Sequence, residues 1–214
     1  MVLMQDESCE FCLEATTGRV ADRYSTHIGV ATRVLLARAS ATVIPTLSPL
    51  RKNHVLIVPR RHITSSVHMN DDEQRDANDC LAEVTDRLAA PGQRFILFEH
   101  GIGSGQTGGC GVSHCHIHVM PAKTAEATAI HDFLADDLRK RFTQSESAPG
   151  ADSSYVRLEV HGRDLEARIM QIGEFPSQYI RNQIENTLGL QTTSWRQLVR
   201  SNLIVESIRD ARWS

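Results

Sequence analysis

The sequence predicts an α+β fold with a small C-terminal extension, on three observations. Short apolar runs bounded by turn formers recur through the first 121 residues. Two longer segments carry apolar residues at helical spacing. A polar, aperiodic stretch at residues 143–154 then separates that part from the rest of the chain.

Residues 33–44 read as strand material with a break near Ser40, and residues 45–53 carry the turn formers of a loop. Residues 54–58 form a short buried strand closed by Pro59, after which Arg60 and Arg61 lead to His62. Asn70 with Glu73 three residues on has the form of a capping box. Ala77, Cys80, Leu81, Val84 and Leu88 then follow at helical spacing up to Pro91. Residues 94–98 are a third strand, residues 101–111 a glycine-rich loop, and residues 114–120 a fourth strand closed by Pro121. Ile130, Phe133, Leu134 and Leu138 mark a second helix. The boundaries read as a main domain over 1–142, a linker over 143–154 and an extension over 155–214. In that extension a hairpin turns at His161-Gly162, and a helix over 176–188 stops at Gly189.

Composition narrows the function classes. The chain has 214 residues, 41% hydrophobic, with 23 Lys+Arg against 26 Asp+Glu and a net charge of -3. A chain of this length buries a core without disulfides. The balance of charge argues against non-specific nucleic-acid binding, which needs clustered cations, but leaves room for one basic pocket and a small anion. No apolar run approaches the roughly 20 residues of a membrane span, and the first residues do not combine a basic with an apolar segment. The expected location is therefore cytoplasmic. Five cysteines, an odd number, point to thiols or metal ligands rather than to disulfides.

His114, His116 and His118 alternate with Cys115, Ile117 and Val119. On a strand, side chains two apart share a face at roughly 6.5–7 Å, so three imidazoles would line one surface. A lone histidine on a strand is usually a satisfied polar residue. Three in register are different, because burying three titratable rings together invites repulsion and desolvation. Such a row suits metal ligation or nucleophilic catalysis, since a neutral ring with one nitrogen fixed as donor leaves the other free to attack phosphorus.

The run GGCGVSHCHIHVMP, with NHVLIVPRRHI upstream, resembles the histidine-triad superfamily over roughly residues 9–121. The resemblance implies an antiparallel sheet that carries the histidines, with flanking helices. It also implies a nucleotide hydrolase that cleaves at the α-phosphorus of a phosphoanhydride or phosphoramidate. His116 would be the nucleophile that forms a nucleotidyl-histidine, with His118 and His54 contacting phosphate and assisting the leaving group. A homodimer is implied by the same resemblance alone. The superfamily's transferase branch has Gln at the third position of the triad. His118 stands there in this chain and favours hydrolysis, although Gly109-Cys110 is closer to the transferase pattern.

Cys9 and Cys12 form a C-x-x-C, which lets two thiolates reach one ion from a tight turn. The resemblance to zinc-containing bacterial members adds His62 and His114, giving a closed Cys₂His₂ set and so a structural zinc. Residues 103–108 match G-x-G-x-x-G, but a strand rather than a helix follows. The loop, with Gly105 and Gln106, is therefore read as backbone that approaches phosphate oxygens. Where members of the family place Asn before this loop the chain has Glu99, and where they place an Asp for the ribose it has Thr46. Glu99 and His100 are thus candidates for the sugar or leaving group. Arg60 and Arg61 are read as solvated. Ser177, Gln178 and Arg181 are candidates to close over the site, with packing the favoured role. The rivals are a nucleotidyltransferase or phosphorylase using the same intermediate, a hydrolase with catalytic metal on the H-x-H, and a non-catalytic nucleotide-binding module.

Overall fold

A computed structural model describes residues 8–104, 112–142, 148–190 and 199–213. Its elements in chain order are α1 (Glu10–Thr17), α2 (Asp22–Ile28), β1 (Leu36–Ala37), β2 (Ala41–Pro45), β3 (Val55–Pro59), α3 (Asp71–Arg87), β4 (Gln93–Gly101), β5 (Ile117–Lys123), α4 (Thr124–Arg141), β6 (Tyr155–His161), β7 (Leu165–Ile172), α5 (Tyr179–Thr187) and α6 (Ser201–Ile208). The strands pair antiparallel throughout, in the order β1-β2-β3-β5-β4-β6-β7. This is the α+β architecture that the sequence predicts.

β2 and β3 are buried along their whole length because both faces of the sheet are covered. On one face α3 sets Ala77, Cys80, Val84 and Leu88 against Val43, Val55, Leu97 and Val119. The helix begins where the sequence places it. Asn70 Oδ1 accepts from the Glu73 N–H at 3.0 Å, and Glu73 Oε2 accepts from the Asn70 N–H at 3.0 Å. On the opposite face α4 and α5 bury Ile130, Leu134, Leu138, Ile180 and Ile184 against Ile96, Phe98, Met120 and Leu158. Each such side chain contributes on the order of 2 kcal/mol. The same face, nearer β2 and β3, carries Cys9, Phe11 and Cys12 over Ile44, Leu56 and Val58.

Three features depart from the sequence reading. β5 starts at Ile117, because the Cys115 N–H leaves the ladder to bond Ile63 O at 2.6 Å. His114 and His116 thus precede the strand rather than sit within it. Beyond residues 148–154 the chain returns to the central sheet, with β6 paired along β4 from Phe95↔His161 to Gly101↔Tyr155. The predicted linker's residues 143–147 lie outside the described residues. The helices α1 and α2 were not anticipated, and α6 was not placed within an extension expected to hold helices, since seven or eight residues give little periodicity. Among the described residues no helix is long and apolar enough to cross a membrane.

Candidate functional site

Register brings the histidines together. His118 on β5 lies between Leu56 of β3 and Phe98 of β4, and Phe98 stacks on its ring at 4.2 Å with an interplanar angle of 7°. His54 enters from the loop before β3, just after Asn53, whose φ of 61° is a conformation that Asn tolerates better than most residues. The rings of His116 and His118 are 5.2 Å apart between centroids.

The hydrogen bonds fix which nitrogen carries each proton. The Leu50 N–H donates to His54 Nδ1 at 3.2 Å, so neutral His54 has its proton on Nε2. That Nε2–H donates to His118 Nδ1 at 3.0 Å, which leaves His118 with its proton on Nε2. His116 Nδ1–H donates to the His114 carbonyl at 2.6 Å, so its Nε2 holds a lone pair. The chain of donors requires uncharged rings, and burial supplies that condition. It holds His54, His116 and His118 below the ordinary histidine value. The charge of Arg181 acts in the same direction on His54 and His118. The site therefore presents one nitrogen with a bare lone pair, on His116, beside one N–H donor, on His118.

These two rings open on a pocket walled also by Phe11, Arg33, Thr46, Gln178 and Arg181. Phe11 stands between the metal-type cluster and the triad, with centroids 5.6 Å from His114 and 5.4 Å from His116. Arg33 is held rigidly: Nε and Nη2 each bond Glu14 at 2.9 Å, and Nη1 donates to Pro45 O. The sequence reading missed Phe11 and Arg33. Phe11 was visible inside the C-x-x-C, whereas no local pattern marks Arg33.

Strand alternation separates Glu99 from His100. Glu99 lies on the α3 face, away from the histidines, and its carboxylate accepts the Ser66 N–H at 2.7 Å and the Ser66 hydroxyl at 2.6 Å. It also pairs with Arg157 at 3.0 Å. So engaged, its carboxylate is turned away from the pocket over His116 and His118. His100 shares the face of Phe98. It is 8% exposed, burial and then the neighbouring His116 lower it to about 4, and its buried Nδ1 has no partner among the described residues. Gly105 and Gln106 lie outside the described residues. Arg60 bonds Ala15 O at 2.7 Å and Arg61 clamps Glu73 through two 2.7 Å bonds, so both serve the fold.

The ligand atoms of Cys9, Cys12, His62 and His114 all lie within 4.8 Å of one another. Cys9 Sγ is 3.4 Å and Cys12 Sγ 3.6 Å from His114 Nδ1, and Cys12 Sγ is 3.3 Å from His62 Nδ1. A tetrahedral zinc with Zn–S near 2.3 Å and Zn–N near 2.05 Å implies S···N edges of about 3.6 Å, so the donor set fits that ion. His114 Nε2–H donates to Pro59 O at 2.9 Å, which turns the Nδ1 lone pair into the cluster as an outer-shell partner does for a metal ligand. With no ion, burial pushes the Cys9 thiol up to about 11; a bound divalent cation would favour the thiolate.

Residues 30–125 match the family model described as the HIT domain. That match supports placing this segment with the histidine-triad superfamily. Among solved structures, the chain is similar to a histidine triad protein from Clostridium difficile, at 19% identity over 56% of this chain and 95% of that one, with a TM-score of 0.39. A HIT family hydrolase from Clostridium thermocellum matches at 22% identity over 55% and 93%, with a TM-score of 0.39. A histidine triad nucleotide-binding protein from Candida albicans matches at 20% identity over 62% and 99%, with a TM-score of 0.40. Cys9 and Cys12 precede the domain match, and Gln178 and Arg181 follow it.

Proposed function

We propose that the protein is a nucleotide hydrolase that cleaves at the α-phosphorus of a nucleotide phosphoanhydride or phosphoramidate. The observation that carries this reading is the pair of fixed tautomers: His116 with a bare Nε2, and beside it His118 with an Nε2–H backed by His54 and the Leu50 N–H. In the first step a bond forms between His116 Nε2 and phosphorus while the bond to the leaving group breaks in line, the electron pair departing with the leaving group. His118 donates to a non-bridging oxygen as charge develops there. In the second step water attacks the nucleotidyl-histidine and gives up a proton to solvent, the P–N bond breaks, and the nucleoside monophosphate leaves while the ring recovers its lone pair. The orphaned Nδ1 of His100 and the backbone of Gly105 and Gln106 are assigned to substrate contacts.

Cys9, Cys12, His62 and His114 would hold a structural zinc. All four coordination positions would then be filled by protein, so the ion would supply folding energy and orient the segment leading to His116. The test is His116→Ala assayed over nucleotide polyphosphates, nucleotide sugars and phosphoramidates. Turnover is expected to fall on the order of 10⁴-fold or more, and brief incubation of the wild type with substrate should show by intact mass a nucleotidyl adduct that the variant lacks. Near-wild-type turnover by the variant would overturn the proposal.

A further inference from the structure

The pocket over His116 and His118 is walled on two sides from outside the HIT-domain match, by Phe11 of α1 and by residues of α5. Gln178, at the N-terminal cap of α5, and Arg181, in its first turn, both line it. We propose that Arg181, with Gln178 beside it, forms an anion subsite next to His118 that takes the non-bridging phosphate oxygens of the bound nucleotide; this deepens the reading of the site as a nucleotide pocket and rests on it.

The burial of Arg181 is the first argument. Its side chain is 3% exposed and that of its partner Glu185 is 1%, and Nη2 bonds Glu185 Oε1 at 3.0 Å and Ser48 Oγ at 3.1 Å. A buried ion pair gives a helix no more stability than well-packed apolar residues, which α5 supplies at Ile180 and Ile184. Packing alone therefore does not call for a charge at position 181. Its location is the second argument. The charge is felt at both His54 and His118, where it favours the neutral rings the chemistry needs, and it offers an arriving phosphate a cation in a dry setting. Arg33, the other guanidinium of the pocket, spends all three nitrogens on Glu14 and Pro45 O and is a strut. Gln178 adds a third observation. Its φ of 64° is left-handed, an uncommon state for this residue type, and it faces the same pocket.

The experiment titrates inorganic phosphate and adenosine 5′-monophosphate into the full chain by calorimetry. Arg181→Met should weaken both by about tenfold or more, and Arg181→Lys should recover part of the loss, since a lysine keeps the charge without the planar fork. Removing Arg181 alone strands a buried carboxylate, so the Arg181→Met/Glu185→Gln double variant is the safeguard against misfolding and should show the same loss. Ser48→Ala separates ligand contact from loop anchoring. It should leave both affinities within about twofold, whereas an arginine that merely fastened the Ser48 loop would make it as damaging as Arg181→Met. The proposal is overturned if the wild type binds neither probe, if the double variant binds both as tightly as wild type, or if Ser48→Ala matches the loss. His116→Ala should still bind both probes, so its turnover tests the covalent mechanism separately.

Discussion

Both ends of the chain lie outside the HIT-domain match at residues 30–125, and each grips a different side of the histidine site. At the N-terminal end, Cys9 and Cys12 converge on His62 and His114, while Phe11 reaches across to His116. At the C-terminal end, many small contacts hold the loop that leads to His54. Ser207 Oγ accepts the Asn53 N–H at 2.8 Å, Trp213 Nε1–H donates to Asn53 Oδ1 at 3.3 Å, and Arg200 Nη1 donates to Pro49 O at 2.9 Å. With a metal held at that cluster the first grip would depend on a single ion; the second is spread over hydrogen bonds of about 1 kcal/mol each. One side of the site should therefore be detachable in a single reversible step and the other only gradually.

Removing the metal should give the largest effect. Without an ion the cluster leaves two thiols and two imidazoles in contact, with only His62 part-exposed, and structural zinc contributes on the order of 10 kcal/mol to folding in small domains. Thermal unfolding with and without a chelator should show a large drop in Tm that zinc restores, and Cys12→Ser should lower Tm without rescue. A chelated protein with unchanged Tm and no bound metal would show that both ends are held alike.

Acid should weaken the other side. His54, His118 and His100 are all depressed below the ordinary value near 6.5, foremost by burial. The unfolded chain then takes up protons first as pH falls. Stability is full above about 6.5 and is lost below it, at up to about 1.4 kcal/mol per pH unit for each histidine, with the share of His100 exhausted near 4. Denaturant unfolding between pH 7 and 4 should show this slope. His100→Asn should flatten it by one histidine's share without touching a metal ligand, and an unaltered slope would remove His100 from the account.

Much of this was legible before any coordinates. Periodicity placed α3 and β2 to β4, the capping box at Asn70 and Glu73 fixed a helix start, and the C-x-x-C with the H-x-H-x-H run marked both centres. The rest depends on register. Whether Glu99 or His100 meets the triad is decided by the pairing of Phe98 with His118, because one step along a strand reverses the face. By alternation alone the three histidines read as one row; the resemblance and not the spacing put His114 with the cysteines, which its ring meets from ahead of β5. The polar stretch before residue 155 reads as a boundary, and nothing local shows that β6 returns to pair with β4. Arg33 meets the pocket through long-range packing, which no window of sequence contains, whereas Gln178 and Arg181 were legible as candidates to close over the site, with packing the favoured role.

Ser207→Ala gives the smallest effect and the most direct measure of the distributed grip. Ser207 is fully buried; its hydroxyl accepts from the Asn53 N–H and donates to Leu203 O at 2.7 Å. Alanine leaves the Asn53 N–H without this acceptor, which should cost about 1–3 kcal/mol in denaturant unfolding. It should also loosen the turn that presents His54 and so reduce kcat by a few fold with little change in KM, since no pocket residue is altered. Metal content should stay at the wild-type level, because the cluster at Cys9 and Cys12 is fastened from the other end. If Ser207→Ala released metal as readily as a chelator does, the two ends would be one cooperative unit rather than two independent grips.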